Sequence, residues 1–320
     1  MSSFHLPITR YRFNLQADTL IQFPPYAGST WRGAFGHALR RTVCVTREPS
    51  CAGCLLQRSC VYSYVFETPA GQEPMLGKID TAPHPYILHP LDTSGSQYTS
   101  NEHLQVGLTL IGKAIDHLPY MIHALQQVGT KGIGKHDGQY TLLDVEQEIS
   151  IGTSQWQTIY QNGHSLQALP SQLPACPTLP DDGYVTITFH SPYRAIQDGK
   201  LVRSGRFTFQ AFIMQIIRRV SLLHALHTEQ IIHPDVKQLA AQAANVPLHN
   251  PQLYWYEWSR YSNRQQTKVQ MGGLIGSFQI PAALLADYWE WLWLGQWTHV
   301  GKGAVMGMGE YSLHLTSSPA

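Results

Sequence analysis

The sequence predicts an α+β protein built from two tandem copies of one strand-helix-strand-strand-helix-strand unit, and three observations lead there. Stretches of strand period are interleaved with stretches of helical period, a proline-bearing segment divides the chain near its middle, and the same order of elements returns after it. At 320 residues the chain suits two domains of ordinary size. With 43% hydrophobic and 13% charged residues it can bury enough apolar surface to offset its ordering entropy, which excludes a disordered chain. Nowhere does it carry the roughly 18 uninterrupted apolar residues of a membrane span, and its first residues, MSSFHLPITRYRFNLQ, lack a basic run followed by an apolar stretch. A cytoplasmic protein with no membrane partner is expected.

The elements follow in order. Residues 12 to 17 alternate, with Phe13, Leu15 and Ala17 inward and Arg12, Asn14 and Gln16 outward, the period of a half-buried strand. After the Pro24–Pro25 turn a helix begins near Ser29 or Thr30, either a suitable N-cap, and sets Trp31, Ala34, Phe35, Ala38 and Leu39 on one face. Leu104, Val106, Leu108 and Leu110 alternate as a strand, residues 118 to 128 are helical with Pro119 in the first turn, and residues 140 to 149 close the copy. Prolines at 170, 174, 177 and 180 mark residues 155–182 as a linker between a domain at 1–154 and one at 183–320.

The second copy repeats the order: a strand at Val185, Ile187 and Phe189, a helix over 207–226, strands at 253–261 and 269–280, a helix from Pro281 that ends at Gly295, and a strand at Tyr311, Leu313 and Leu315. Two such split units are a tandem ferredoxin-like, RRM-like duplication. The fold alone names no function.

Chemistry enters through clusters. Cys44, Cys51, Cys54 and Cys60 include a CxxC pair and follow the first helix directly. In a reducing compartment such spacing points to a structural zinc ion, so residues 44–60 read as a small zinc-binding insertion in the first domain; the alternative is buried thiols acting as small hydrophobes. Cys176, in the linker, stands outside the cluster. The net charge of +1 hides two basic blocks. Arg32, Arg40, Arg41, Arg47 and Arg58 face only Glu48, and Arg194, Lys200, Arg203, Arg206, Arg218 and Arg219 face only Asp198, the footprint of a phosphate-bearing partner.

Two glycine-rich loops, GTKGIGKHDGQY and VGKGAVMGMGEY, precede the last strand of each copy. Glycine lets backbone N–H groups approach a phosphate, and Lys131, Lys135 and Lys302 add charge; a tight turn at a sheet corner is the alternative. Neither loop follows a first strand and opens a helix, which sets a nucleotide-binding fold aside.

Taken together, GSTWRGAFGHALRR, the cysteine knuckle with CVYSYVFETP, TFHSPYRAIQDGK, GGLIGSF and THVGKGAVMGMGEY resemble the CRISPR precursor-RNA processing endoribonucleases of the RAMP superfamily, in particular their zinc-knuckle branch. The resemblance spans residues 10 to 315. It implies a nuclease that binds CRISPR repeat RNA over a basic face and cuts it without a catalytic metal. A ribose 2′-hydroxyl attacks the neighbouring phosphate, leaving a 2′,3′-cyclic phosphate and a 5′-hydroxyl, with a histidine near the first helix as general base or acid.

His37 is the matching position, and its own spacing agrees: it lies opposite the apolar stripe, one turn from Gly33 and from Arg41. Tyr26, Arg40 and Lys302 complete the expected catalytic group, with His299 next in line. The expected RNA contacts are Arg32, Arg41, Lys131, Lys135, Arg194, Arg203, Arg206, Arg218, Arg219, Gly301 and Gly303. One face of the aromatic run Tyr254, Trp255, Tyr256, Trp258 and Tyr261 would offer rings to unpaired bases. Two other classes compete: a RAMP-type subunit that holds CRISPR RNA in an effector complex without cutting, and a structural zinc protein whose basic faces bind another protein.

Overall fold

In the computed structural model the described residues are 4–69, 82–91, 97–262 and 267–316. The chain forms two units, Met1–Pro174 with Leu222–Gln230, and Ala175–Ser221 with Ile231–Ala320. Among the described residues no helix is long and apolar enough to cross a membrane.

In the first unit, β1 (Ile8–Ala17) leads through β2 (Ile21–Gln22) to α1 (Gly28–Val43). Then come β3 (Tyr86–Pro90), β4 (Gln97–Tyr98), β5 (His103–Ile111), α2 (Leu118–Lys131), β6 (Tyr140–Glu148) and β7 (Trp156–Gln161). Five strands make an antiparallel sheet in the order β3-β5-β1-β6-β7, while β2 pairs with β4. The inner four have the ferredoxin-like order that the sequence predicts. Alternation in β1 sets the register: Phe13 lies between Val106 and Val145, all three fully buried. On that face α1 places Trp31 with its ring centroid 5.7 Å from Tyr140, and Phe35 at 5.6 Å from Tyr86.

Two local expectations change here. α1 starts at Gly28 with Ala27 as N-cap and no side-chain cap bond, because Ala27 already has helical dihedrals of φ −74 and ψ −20 after the Pro24–Pro25 turn. The start of the segment read as linker is an edge strand instead: β7 pairs with β6. Its Trp156 ring lies under the Arg12 guanidinium at 4.2 Å, a stacking partner 144 positions away that period alone cannot show.

The second unit repeats the plan. β8 (Tyr184–Tyr193) is followed by the hairpin β9 (Ile196–Gln197) and β10 (Lys200–Leu201), then by α3 (Phe209–His227) and α4 (Val236–Ala243). β11 (His249–Tyr256), the hairpin β12 (Ser259–Ser262) and β13 (Thr267–Gln270), β14 (Gly273–Pro281), α5 (Trp289–Thr298) and β15 (Tyr311–Thr316) complete it. Its sheet runs β11-β14-β8-β15, again antiparallel and ferredoxin-like. Phe189, Phe212 and Phe278 form its aromatic core.

The last helix departs from expectation. Pro281 opens only a short 3-10 turn, Ala282–Leu284, and Gly295 lies inside α5 rather than at its end. A Cβ there would meet Ile216 of α3 at 2.8 Å and the Tyr311 hydroxyl of β15, so this glycine serves close packing and the helix ends at His299.

The final turns of α3 belong to the first unit and bury two histidines. His227 is satisfied by the Tyr64 hydroxyl at 3.1 Å and the Pro83 carbonyl at 2.8 Å. His224, beside Phe4 and His5, has neither ring nitrogen hydrogen-bonded, and burial first, then His5, pushes its pKa down to about 4. Native His224 resists a proton that the unfolded chain accepts, so stability falls as the pH drops from about 6.5 towards 4 and is unaffected above that window. Screening by solvent holds the effect to roughly 1–2 kcal/mol. His224→Leu is expected to flatten this acid limb and leave stability at pH 8 equal or higher, measured by urea titrations at several pH values; an unchanged acid limb would refute the assignment.

Candidate functional site

α1 presents a narrow polar strip. His37 and Arg41 are exposed one turn apart, and at Gly33, a turn earlier, a Cβ would meet no atom within 4 Å. Small residue, imidazole and guanidinium along one open face leave room for a ligand beside a proton-transfer group and a cation. The other expected members of the α1 group are held elsewhere. The Arg32 guanidinium lies over the Phe66 ring at 4.4 Å. Arg40 reaches over Tyr62 at 5.8 Å and donates through Nη2 to the Glu48 carbonyl, which ties it to the cysteine segment rather than to the open strip. Tyr26 is buried at the start of α1.

The cysteine segment wraps a cavity of about 240 Å³ lined by Cys44, Cys51, Cys54 and Cys60 together with Arg40, Thr46 and Tyr62. All four are free thiols, and the Thr46 hydroxyl lies 3.5 Å from Cys54 Sγ and 4.0 Å from Cys44 Sγ. Burial raises the Cys44 pKa, but the Arg47 backbone, the Thr46 hydroxyl and Arg40 outweigh it and leave a net lowering; Cys51 is raised by burial and by Glu67. Among the described residues no three His, Cys, Asp or Glu side chains are gathered at a common ligand point. The donor set, four thiols on one cavity wall, is of the kind that binds zinc. Cys176, in the second unit, places its thiol 3.7 Å from the Pro177 carbonyl, and burial, with Glu290, pushes its pKa up to about 12.

The first glycine-rich loop is a turn anchored to the sheet. Lys135 N donates to the Gln22 carbonyl at 2.8 Å, Ile133 pairs with Gly138, and Gly134 needs φ +78 with no Cβ against the Gln22 backbone. Its lysines, Lys131 and Lys135, point to solvent.

In the second unit the glycine-rich loop folds down on the Ser191–Arg194 segment. Lys302 N donates to the Arg194 carbonyl at 2.7 Å and Gly309 N to the Pro192 carbonyl at 3.1 Å. The Ser191 hydroxyl donates to the Gly307 carbonyl at 2.7 Å and accepts from Glu310 N at 2.8 Å. Several of the loop's N–H groups therefore serve the fold, while the Lys302 side chain is exposed. Gly301 and Gly303 sit at φ +87 and +85. Arg194 Nη1 donates to the Gly272 carbonyl at 2.7 Å, and burial lowers its pKa.

Arg203 stacks over Trp255 at 4.4 Å, and Trp255 Nε1 donates to Glu257 Oε2 at 2.8 Å. The loop, Arg194, Arg203 and Trp255 thus form one connected patch, with Tyr254 and Tyr256 exposed on the opposite side of β11. Sequence reasoning missed Glu257 and the Arg203–Trp255 stack, since nothing in the local pattern joins residues 52 positions apart.

Not all of the expected basic residues face outward. Arg206 and Arg218 are exposed, but Arg219 turns inward: its Nε donates to the Thr298 carbonyl at 2.8 Å, and burial lowers its pKa to about 10. It neutralises the C-terminal end of α5 instead of facing a phosphate. His299 is buried, with Nδ1 3.3 Å from the Met308 carbonyl, and Trp258 is core. The side chain of Tyr261 lies outside the described residues.

Residues 6–172 match the family model of the AF_1859_N N-terminal domain, and residues 187–311 match that of the CRISPR-associated endoribonuclease Cas6. Residues 187–311 thus form a Cas6 domain. The Cas6 match runs from Ile187 in β8 to Tyr311 in β15 and so takes in the Arg194–Arg203–Trp255 patch and the glycine-rich loop; His37 and the cysteines fall in the N-terminal match.

An uncharacterized protein of Archaeoglobus fulgidus is 25% identical over 148 residues, which is 46% of this chain and 49% of the archaeal protein. The chain thus spans about half the length of that relative. Among solved structures, a Cas6 product complex is similar at TM-score 0.56 and 15% identity, covering 96% of this chain and 99% of the other. Thermus thermophilus Cas6 gives 0.51 and 14%, covering 97% and 100%. A partial Cas6-RT-Cas1–Cas2 complex gives 0.57 and 12%, covering 100% of this chain and 48% of that one. At these identities the likeness establishes the tandem ferredoxin-like fold.

Proposed function

We propose that this chain is a cytoplasmic endoribonuclease of the Cas6 kind that cuts CRISPR repeat RNA in precursor transcripts to give guide RNAs. The observation that carries the reading is the Cas6 match over residues 187–311, which contains the connected basic and aromatic patch. His37 transfers the proton at the attacking 2′-hydroxyl or at the leaving oxygen, and Arg41, one turn on, offsets phosphate charge. Arg194, Arg203, Arg206, Lys302, Lys131 and Lys135 hold phosphates, and exposed Tyr254 and Tyr256 stack unpaired bases. Incubated with labelled repeat RNA in EDTA, the protein should leave 2′,3′-cyclic phosphate and 5′-hydroxyl ends; cutting that requires added magnesium and leaves a 5′-phosphate would refute the chemistry.

The four thiols would hold a structural zinc ion that fixes residues 44–60 and, through Arg40, the C-terminal end of α1. Subunits of a CRISPR complex are the expected protein partners; a Cas6 joined to RT, Cas1 and Cas2 is a solved example with this fold.

Phosphate contacts predict the salt response. Arg203→Ala and Lys302→Ala should each weaken binding for all repeat sequences and reduce the slope of log affinity against log salt by about 1, read by filter binding between 50 and 300 mM salt. An unchanged slope would remove that residue from the interface. A second reading, a subunit that holds CRISPR RNA without cutting it, is favoured by the placement of Tyr26 and Arg40 within the fold, which leaves His37 as the open proton-transfer group on α1.

A further inference from the structure

One acidic side chain stands in the basic patch of the second unit. Glu257, just past β11, is exposed, and its Oε2 accepts from Trp255 Nε1 at 2.8 Å. The Trp255 ring lies under the Arg203 guanidinium at 4.4 Å, and the Gly272 carbonyl beside it accepts from Arg194 Nη1 at 2.7 Å. A Cβ on Gly272 would stand 2.7 Å from Trp255 Nε1 and 2.8 Å from Glu257 Oε1, so the missing side chain is what lets ring and carboxylate lie side by side. Burial lowers the Arg194 pKa, Glu257 opposes that lowering and Arg203 adds to it, which sets the three charges within electrostatic reach of one another. Among the described residues, however, no ion pair joins Glu257 to either arginine. A carboxylate in this place repels backbone phosphates, and it is fixed to the edge of an aromatic ring instead of to a cation. That arrangement suits the reading of a base.

We propose that Trp255 and Glu257 form a subsite for a single unpaired guanine, with Trp255 as the stacking surface and Glu257 as the specificity-determining group. The inference rests on the RNA-binding reading above and adds a base preference to it. An ionised carboxylate has about four acceptor sites, and the indole uses one of those on Glu257. Guanine presents two adjacent donors, N1–H and the N2 amino group, on its Watson–Crick edge. Adenine and cytosine set an acceptor ring nitrogen beside their amino group, and uracil flanks one N–H with two carbonyls, so each of these turns a lone pair towards the carboxylate.

The Arg203 stack supplies the exchange that admits the base. Trp255 is half-buried, whereas Arg203 is exposed on a long stem. A purine that takes the place of the guanidinium on the indole frees Arg203 for a phosphate of the same strand, so ring stacking and charge neutralisation are gained together.

The test is fluorescence anisotropy of the full chain titrated into fluorescein-labelled oligouridylates of about a dozen nucleotides, each carrying one central guanosine, inosine, adenosine or cytidine. Wild type should bind the guanosine oligomer about tenfold tighter than the adenosine and cytidine ones, with inosine, which lacks the N2 amino group, in between. Glu257→Gln keeps an oxygen for Trp255 Nε1 but turns an amide N–H towards the base. It should bring guanosine down to the level of the others and leave affinity for plain oligouridylate unchanged or higher, because a negative charge has left the patch. A role confined to orienting Trp255 would leave the guanosine preference intact in this variant. Arg203→Ala should weaken all the oligomers alike and retain that preference. Equal binding of the four oligomers by wild type, or a guanosine preference that survives Glu257→Gln, would overturn the proposal while leaving the RNA-binding reading standing; binding of none of them would defeat both.

Discussion

His37→Ala is expected to slow cleavage of repeat RNA by about 10²–10⁴-fold, the usual contribution of a positioned acid or base, with RNA affinity nearly unchanged. On the open strip of α1 its neighbours one turn away are Gly33 and Arg41, and a guanidinium there supplies charge and hydrogen-bond donors, which leaves proton transfer to the imidazole. His37 is exposed, so its removal should alter stability by less than about 0.5 kcal/mol. Single-turnover rates and melting temperatures on the same preparations separate the two effects. A slow variant that melts like wild type supports catalysis by His37, whereas full-rate cutting moves the chemistry off α1. Arg41→Ala, by contrast, should reduce both rate and affinity, because its charge acts on bound substrate as well as on the transition state.

The second large effect concerns the thiols. Cys54→Ser should lower the zinc content of the purified protein from one ion per chain towards none and lower its melting temperature by several degrees, because a segment with little core of its own loses the bonds that close it. Val45 and Leu55, 76% and 93% exposed, bear out how little apolar burial holds this segment. Arg40 links it to α1 through Glu48 and Tyr62, so cleavage should fall together with stability, unlike the separation expected for His37. Metal analysis giving no zinc in protein prepared without chelators, or a melting curve indifferent to chelation, would contradict the assignment.

Much of the fold was legible because one-sided burial imposes a period. The alternation of β1, the stripe on α1 and the repeated order of elements all record which face meets a core, and each reappears in the sheets as expected. Features set by distant partners were not legible. Gly295 looks like a helix end, yet it is the point where α5 approaches Ile216 and Tyr311; only the packed structure distinguishes a cap from a contact. Arg219 reads as one more surface cation, but it follows Arg218 directly, and on a helix adjacent residues point about 100° apart, so one faces solvent and the other the end of α5.

The site was legible in the same uneven way. His37 and Arg41 could be placed because helix spacing alone sets them together opposite the stripe. Arg40, at the neighbouring position, is drawn off by Glu48, whose carbonyl position depends on the path of the cysteine segment. The glycine-rich loops combine both possibilities: their glycines answer to backbone crowding at Gln22 and Arg194, and their lysines remain available to a phosphate.

The most direct measurement is a scan of the repeat RNA with a single 2′-deoxy substitution at each position in turn, incubated with the protein in EDTA. Attack by a ribose hydroxyl predicts that one substitution, at the nucleotide immediately upstream of the cut, abolishes cleavage while RNA carrying it still binds. Cleavage that persists at the same phosphate in every substituted RNA would contradict the account.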